Sequence, residues 1–204
     1  MAFITPPQKE NPYLTDPDVL LMLEFLKGDK SSFEKLMERN YKRVLNFIYR
    51  FVGNSELAED LTQEVFIKVY KSALSYRPQA KFQTWLFQIA KNTSLNEIRR
   101  PKGQTISLDA TLATEDGEIK RQVSSGVSFL ASEELSQKET AEMVKQAIDG
   151  LPANQRIAVI LRRFEDFSYE DIAKTMNCSV MAVKSLLSRA KENLKERLSP
   201  LTKD

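Results

Sequence analysis

Residues 168–189 read SYEDIAKTMNCSVMAVKSLLSR, and this stretch decides the fold of the C-terminal part of the chain. Ser168 can cap a short helix, with Asp171 three residues on in the reciprocal position. Ile172 and Ala173 fall on the inward face, and the small Ala173 lets a second helix cross closely. Asn177 falls where the chain must turn sharply, and Asn tolerates the left-handed conformation better than most residues other than Gly. Ser179 can cap a second helix, in which Val183, Leu186 and Leu187 recur at i, i+3, i+4. Lys184, Ser185, Ser188 and Arg189 then share the outer face, where the second helix of a helix-turn-helix meets the major groove. An ordinary helical hairpin with a charged solvent face is the alternative. The agreement of two caps, a turn residue and two apolar faces favours DNA.

Upstream, helix signals recur. Asp16-Pro17 starts a helix, with Asp as cap and Pro at the first position; it runs to about Lys27 and Gly28 ends it. Ser31-x-x-Glu34 has the form of a capping box opening a longer helix to about Val52. Gly53-Asn54-Ser55 stops that helix and starts the next, which reaches about Ala73. Residues 76–81 form a loop, Phe82 to Arg100 a helix, and Pro101 a stop. Residues 101–131 lack sustained periodicity and read as a linker. Helices over about Ser132–Asp149 and Ala153–Phe164 lead into the helix-turn-helix. The expected fold is all-α: a disordered tail over 1–14, then two small helical domains, 15–100 and 132–204, joined by a flexible linker. The C-terminal one is a helix-turn-helix (winged-helix-like) DNA-binding domain.

Composition narrows the function classes. Hydrophobic residues at 42% and charged residues at 28% fit a soluble globular protein. No stretch approaches about 18 uninterrupted apolar residues, so no membrane insertion is expected. The start MAFITPPQKENPY lacks the basic and apolar regions of a secretory signal, and the expected compartment is the cytoplasm. With Cys178 the one cysteine and no histidine, no internal disulfide and no Cys/His metal site is expected. Cys178 reads as a small packed apolar residue rather than a redox sensor. No nucleophile set or Gly-rich phosphate loop is visible, so neither enzyme activity nor a cofactor is expected.

The net charge of +2 is weak for a free-standing DNA binder, but its distribution is informative. Between Lys71 and Lys102 seven basic residues face Glu97 alone, whereas Gly103 to Met143 carries eight acidic residues against three basic. The acidic connector should repel phosphate. The stretch 76–100, YRPQAKFQTWLFQIAKNTSLNEIRR, interleaves aromatics with cations, as single-stranded nucleic acid requires. Trp85 and Phe82 read as core; Tyr76, before a Pro-containing loop, reads as an exposed stacking platform or as core.

The stretches AEDLTQEVFIKVYK (58–71), FQTWLFQIAKNTSLNEIRR (82–100), LPANQRIAVILRRFEDFSYEDIAKTM (151–176) and the recognition helix, in this order, resemble a bacterial RNA polymerase sigma factor of the extracytoplasmic-function type (ECF, group IV, sigma-70 family). The resemblance implies promoter recognition as a dissociable subunit of core RNA polymerase. The −35 element would be read as duplex and the −10 element as a melted strand. It implies that Asp60, Gln63, Glu64 and Phe66 dock on the polymerase, on its beta-prime coiled coil, with the beta flap as a further contact. By their residue types alone, Asp60, Gln63 and Glu64 read equally well as a solvated helix face. The resemblance assigns Tyr76, Arg77, Lys81, Lys91, Asn92, Asn96, Arg99 and Arg100 to the −10 element, with 76–81 as a specificity loop. It assigns Arg162, Arg163, Lys184, Ser185, Ser188 and Arg189 to the −35 element. The linker's Asp109, Glu115, Asp116 and Glu118 would mimic nucleic acid in a basic channel of the polymerase. An anti-sigma factor, often membrane-bound in the family, is the implied regulator. The competing expectation is a two-domain helix-turn-helix regulator that binds intact duplex without polymerase.

Overall fold

The computed structural model describes residues 11–100 and 140–199, and no strand occurs among them. The expected linker, the first residues of the helix expected from Ser132, and the first ten residues of the expected tail lie outside the described residues. The helices are α1 (Pro17–Leu26), α2 (Lys30–Val52), α3 (Ser55–Ser72), α4 (Phe82–Arg99), α5 (140–149), α6 (Ala153–Arg163), α7 (Tyr169–Met176) and α8 (Val180–Arg197).

Most helix ends are explained by local chemistry. Asp16 accepts from the Asp18 N–H at 2.9 Å with Pro17 at the first position. Gly53, at φ 78°, closes α2 in the left-handed conformation, and the Asn54 side chain accepts from Leu57 N–H to open α3. At the start of α2 the expected Ser31–Glu34 capping box gives way to Asp29. Its carboxylate accepts from Ser31 N–H and from the hydroxyls of Ser31 and Ser32, and these bonds hold it below the usual carboxylate range. Residues 11–14, expected in the disordered tail, are ordered: Pro12–Thr15 form a 3-10 turn capped by Asn11. The chemistry repeats that of Asp16-Pro17, a short polar cap followed by Pro at the first helical position.

α2 runs through the N-terminal bundle, packed against α1, α3 and α4. It contributes Leu36, Val44, Phe47, Ile48 and Phe51 to the core. Phe47 meets Phe87 of α4 edge-on at 5.2 Å, a favoured aromatic arrangement. The buried carboxylate of Asp18 is satisfied by Arg39 Nε at 2.7 Å and Asn40 Nδ2 at 3.0 Å. Such pairing is what a buried charge requires. In the C-terminal part, α6 packs on α8 and α7 on both.

The buried core continues from one part into the other. α7 lies on α4, and Phe167 packs against Phe87 at 5.2 Å. Arg43 of α2 donates through Nε to the Glu165 carboxylate at 3.1 Å and through Nη2 to the Glu165 carbonyl at 3.2 Å. Arg156 of α6 donates to the Phe51 carbonyl at 3.0 Å.

Candidate nucleic-acid interface

The helix-turn-helix forms as its residues require. Ser168 Oγ accepts from Asp171 N–H at 3.0 Å and donates to the Asp171 carboxylate at 2.7 Å. Asn177 takes the left-handed conformation at φ 52°, and Ser179 Oγ accepts from Ala182 N–H. Val183 and Ala190 are buried, which turns Lys184, Ser185, Ser188 and Arg189 outward; all four are exposed. Met181, in the first turn of α8, is 73% exposed and was not anticipated from periodicity. A thymine methyl is the kind of group such an apolar side chain can meet in the major groove. Arg162 and Arg163 are exposed, but Arg162 is tied to its own turn. Its Nη1 donates to the Phe167 carbonyl at 2.9 Å and its guanidinium lies 5.3 Å from the Tyr169 ring centroid.

On α4 the expected residues divide between two sides. Asn92, Asn96, Arg99 and Arg100 are exposed on one face. Lys91 belongs to the side that carries Thr84 one heptad earlier, and that side faces α7. The Thr84 carbonyl accepts from Thr175 Oγ1 at 3.4 Å and its hydroxyl donates to Asp171 at 3.4 Å. Lys91 is only 8% exposed, and burial pushes its ammonium below its ordinary value. Lys81 pairs with Asp171 at 3.2 Å. Burial would raise the Asp171 carboxyl; the hydrogen bonds from Ser168, Lys81 and Thr84 outweigh it and hold the group below the usual range.

Tyr76 corrects the expectation of an exposed platform. It is 2% exposed, with its ring 4.9 Å from Trp85 and 6.0 Å from Phe82. Its hydroxyl is buried without a partner, and burial, with Asp16 and Asp18 nearby, pushes it up to about 12. The aromatic trio Tyr76, Phe82 and Trp85 anchors both ends of the loop to the bundle. Arg77 stays exposed and donates to the carbonyls of Leu74 and Tyr76. Beside Asn92 lies an open cavity of about 410 Å³ lined by Lys68, Lys71, Ser72, Ile89 and Thr93. Its size is within the range of small-ligand pockets, roughly 300–1,000 Å³. Lys68 Nζ donates to Thr93 Oγ1 there at 3.0 Å. Periodicity placed these residues on two helices but could not show that a cavity lies between them.

On α3, Asp60, Gln63 and Glu64 are exposed, and Glu64 pairs with Lys68 at 2.6 Å. Phe66 corrects the docking role that the resemblance implies for it: it is 3% exposed and stacks on Tyr41 at 6.0 Å, so it belongs to the core, as its place in the apolar period of α3 requires. The apolar groups that share the outward stripe with Asp60 and Gln63 are Ile67, Tyr70 and Leu74, which are 53%, 53% and 83% exposed.

Comparison with known proteins agrees with this arrangement. Residues 36–103 match the family model of sigma-70 region 2, and residues 141–194 match that of sigma-70 region 4. The chain is 33% identical over 193 residues to the RNA polymerase sigma-H factor of Pseudomonas aeruginosa, covering 93% of this chain and 97% of the relative. It is 34% identical over 188 residues to the ECF RNA polymerase sigma-E factor of Escherichia coli K12, covering 90% and 95%. Its structure is similar to that of the sigma factor RpoE in complex with the anti-sigma factor NepR from Bartonella quintana. The TM-score is 0.59, the identity 25%, and the coverage 82% of this chain and 96% of that one. The fold alone is also shared with CnrH in complex with the cytosolic domain of CnrY, at TM-score 0.65 and 20% identity, covering 91% and 99%. The chain belongs to the extracytoplasmic-function sigma factors of the sigma-70 family.

Proposed function

We propose that this chain binds core RNA polymerase and directs it to promoters, reading the −35 element as duplex with α8 and the −10 element as a melted strand with α4 and the loop 76–81. The observation that carries this reading is the presence, in one chain of this family, of two separate exposed polar faces. One is Lys184, Ser185, Ser188 and Arg189; the other is Asn92, Asn96, Arg99 and Arg100. The first suits base edges in the major groove. The second borders the cavity between α3 and α4, which offers an unstacked base a place to enter with Asn92 at its rim. Capture of that base shifts the duplex toward its open state without any covalent step. The protein is thus a recognition subunit rather than an enzyme, acting in the cytoplasm beside the polymerase.

The residues 15–100 and 132–204 act as two DNA-reading units on this reading, and the α3 stripe of Asp60, Gln63, Glu64 and Ile67 docks on the polymerase coiled coil. An anti-sigma factor is the regulator. Among the described residues no helix is long and apolar enough to cross a membrane.

The test is run-off transcription with core polymerase, this protein and a library of promoter-like duplexes, beside a gel shift with the protein alone. The expected result is sequence-specific transcripts that need both components and decline in Asn92→Ala and Arg189→Ala. Tight, specific duplex binding without polymerase, and no transcripts, would favour an autonomous helix-turn-helix regulator.

A further inference from the structure

The loop 76–81 is bracketed by the segment 11–16 that precedes the bundle. Asn11 Nδ2 donates to the Pro78 carbonyl at 2.8 Å, 67 positions away in sequence. The first N–H of α4, at Phe82, donates to Asp16 Oδ2 at 3.2 Å. That bond matters because α4 has no cap of its own: Lys81 occupies the capping position and its side chain makes no capping bond. Among the first N–H groups of a helix, which lack intrahelical acceptors, this one is satisfied by a distant carboxylate. Asn11 and Asp16 are each used twice. Asn11 Oδ1 accepts from Tyr13 N–H at 3.0 Å, and Asp16 Oδ1 accepts from Asp18 N–H at 2.9 Å. Each residue therefore caps its own short helix with one atom and grips the loop with the other.

We propose that Asn11 and Asp16 are positioning residues that hold the loop 76–81 in one conformation and so set which base the −10 element must present. This rests on the reading of that loop as part of the −10 interface. Between its two grips the loop carries Gln79 and Lys81, exposed, with Arg77 exposed just before them. Its backbone has a single hydrogen bond of its own, from Gln79 N–H to the Arg77 carbonyl at 2.8 Å. A loop with so little internal bonding discriminates between bases only if something outside it restricts its conformations, because each extra conformer offers another base a fit.

The dual use of each side chain supplies a clean test. Asn11→Asp keeps the cap on Tyr13 but has no donor for Pro78. Asp16→Ser keeps a capping oxygen for α1 but is too short to serve Phe82 as well. Each variant, with core polymerase, would be run against promoter libraries randomised at the −10 element and, separately, at the −35 element, with Asn92→Ala as control. Amide hydrogen exchange at Gln79 and Phe82 would be followed in the free protein. The expected result is a loss of about fivefold in −10 base preference, the equivalent of one neutral hydrogen bond, with −35 preference unchanged. Exchange at Phe82 should quicken in Asp16→Ser. If Asn92→Ala alters −10 preference while Asn11→Asp and Asp16→Ser do not, the grip is irrelevant and the proposal is overturned. An equal loss at both elements would overturn it as well, since that marks general destabilisation. If even Asn92→Ala leaves −10 preference intact, the −10 reading itself fails and takes this proposal with it.

Discussion

Arg189 and Tyr76 show how far a single side chain's chemistry depends on where it points. Arg189 is exposed on the outer face of α8, where its planar guanidinium can make a bidentate contact with guanine. Arg189→Ala should cost about 1–3 kcal/mol of discrimination at one −35 base pair, read as the ratio of transcription rates from promoters differing there. Tyr76 is a core residue whose hydroxyl has no partner. Tyr76→Phe should therefore leave the urea midpoint unchanged or raise it, since a buried unsatisfied group costs about 1–3 kcal/mol. Tyr76→Ala should lose about 3 kcal/mol by opening a cavity. Asp171 carries a pH dependence. Its folded value lies below the ordinary 3.8, so its contribution is present above that pH and lost as pH falls through the lower folded value. Asp171→Asn should flatten the stability curve below about pH 4, measured by denaturant titration at each pH. Glu165, at the same junction, has the opposite sign. Burial raises its carboxyl above 4.5 against the pull of Arg43, so its contribution is lost as pH rises through the folded value.

At the level of the element, α3 and α4 are each two-faced. α3 buries Leu61, Val65, Phe66 and Val69 and leaves Asp60, Gln63, Ile67 and Tyr70 outside, with Leu74 exposed just beyond its end. Exposed large apolar groups in line with acidic and amide groups suit a basic helical partner. Ile67→Glu should weaken association with core polymerase while leaving thermal stability unchanged. Phe66→Ala should do the reverse, losing about 3–5 kcal/mol of stability. Fluorescence anisotropy against core polymerase and calorimetry separate the two. α4 likewise offers Asn92 and Asn96 outward while Thr84 meets α7 and Lys91 is buried.

Taken as a whole molecule, the described arrangement cannot read both promoter elements at once. The described residues, 11–100 and 140–199, packed as one compact body have a radius of gyration of about 15 Å, whereas elements two helical turns apart on duplex are separated by about 70 Å. Lys81 is paired with Asp171 of α7, and Lys91 is buried in this arrangement. What holds the parts together is mainly apolar, Phe167 on Phe87, with Arg43 answering the buried Glu165 carboxylate. The partly exposed Lys81–Asp171 pair contributes little by comparison. Arg43→Ala leaves Glu165 unpaired and should shift the protein toward an open form. Small-angle scattering should show a larger radius of gyration, and binding of a single-stranded −10 oligonucleotide should strengthen. An unchanged radius in Arg43→Ala would mean that the apolar contact alone keeps the molecule closed.

The sequence by itself determined most features whose cause lies within a few residues, the Asp29 cap of α2 and the Asn11-capped turn being the exceptions. Ser168, Asn177 and Ser179 had to make a helix-turn-helix, because caps and a left-handed turn residue act on neighbouring backbone. The apolar period likewise determined which face of α8 turns outward. The tertiary structure alone decided which of several apolar or basic faces found a neighbour. Tyr76 was legible as aromatic, yet its burial depends on Trp85 of α4. The reach of Asn11 to Pro78 and of Arg43 to Glu165 spans 67 and 122 positions, beyond any local signal. A helical period fixes the angle between side chains around one axis; only the packing of several axes decides which of those angles meets protein and which meets water.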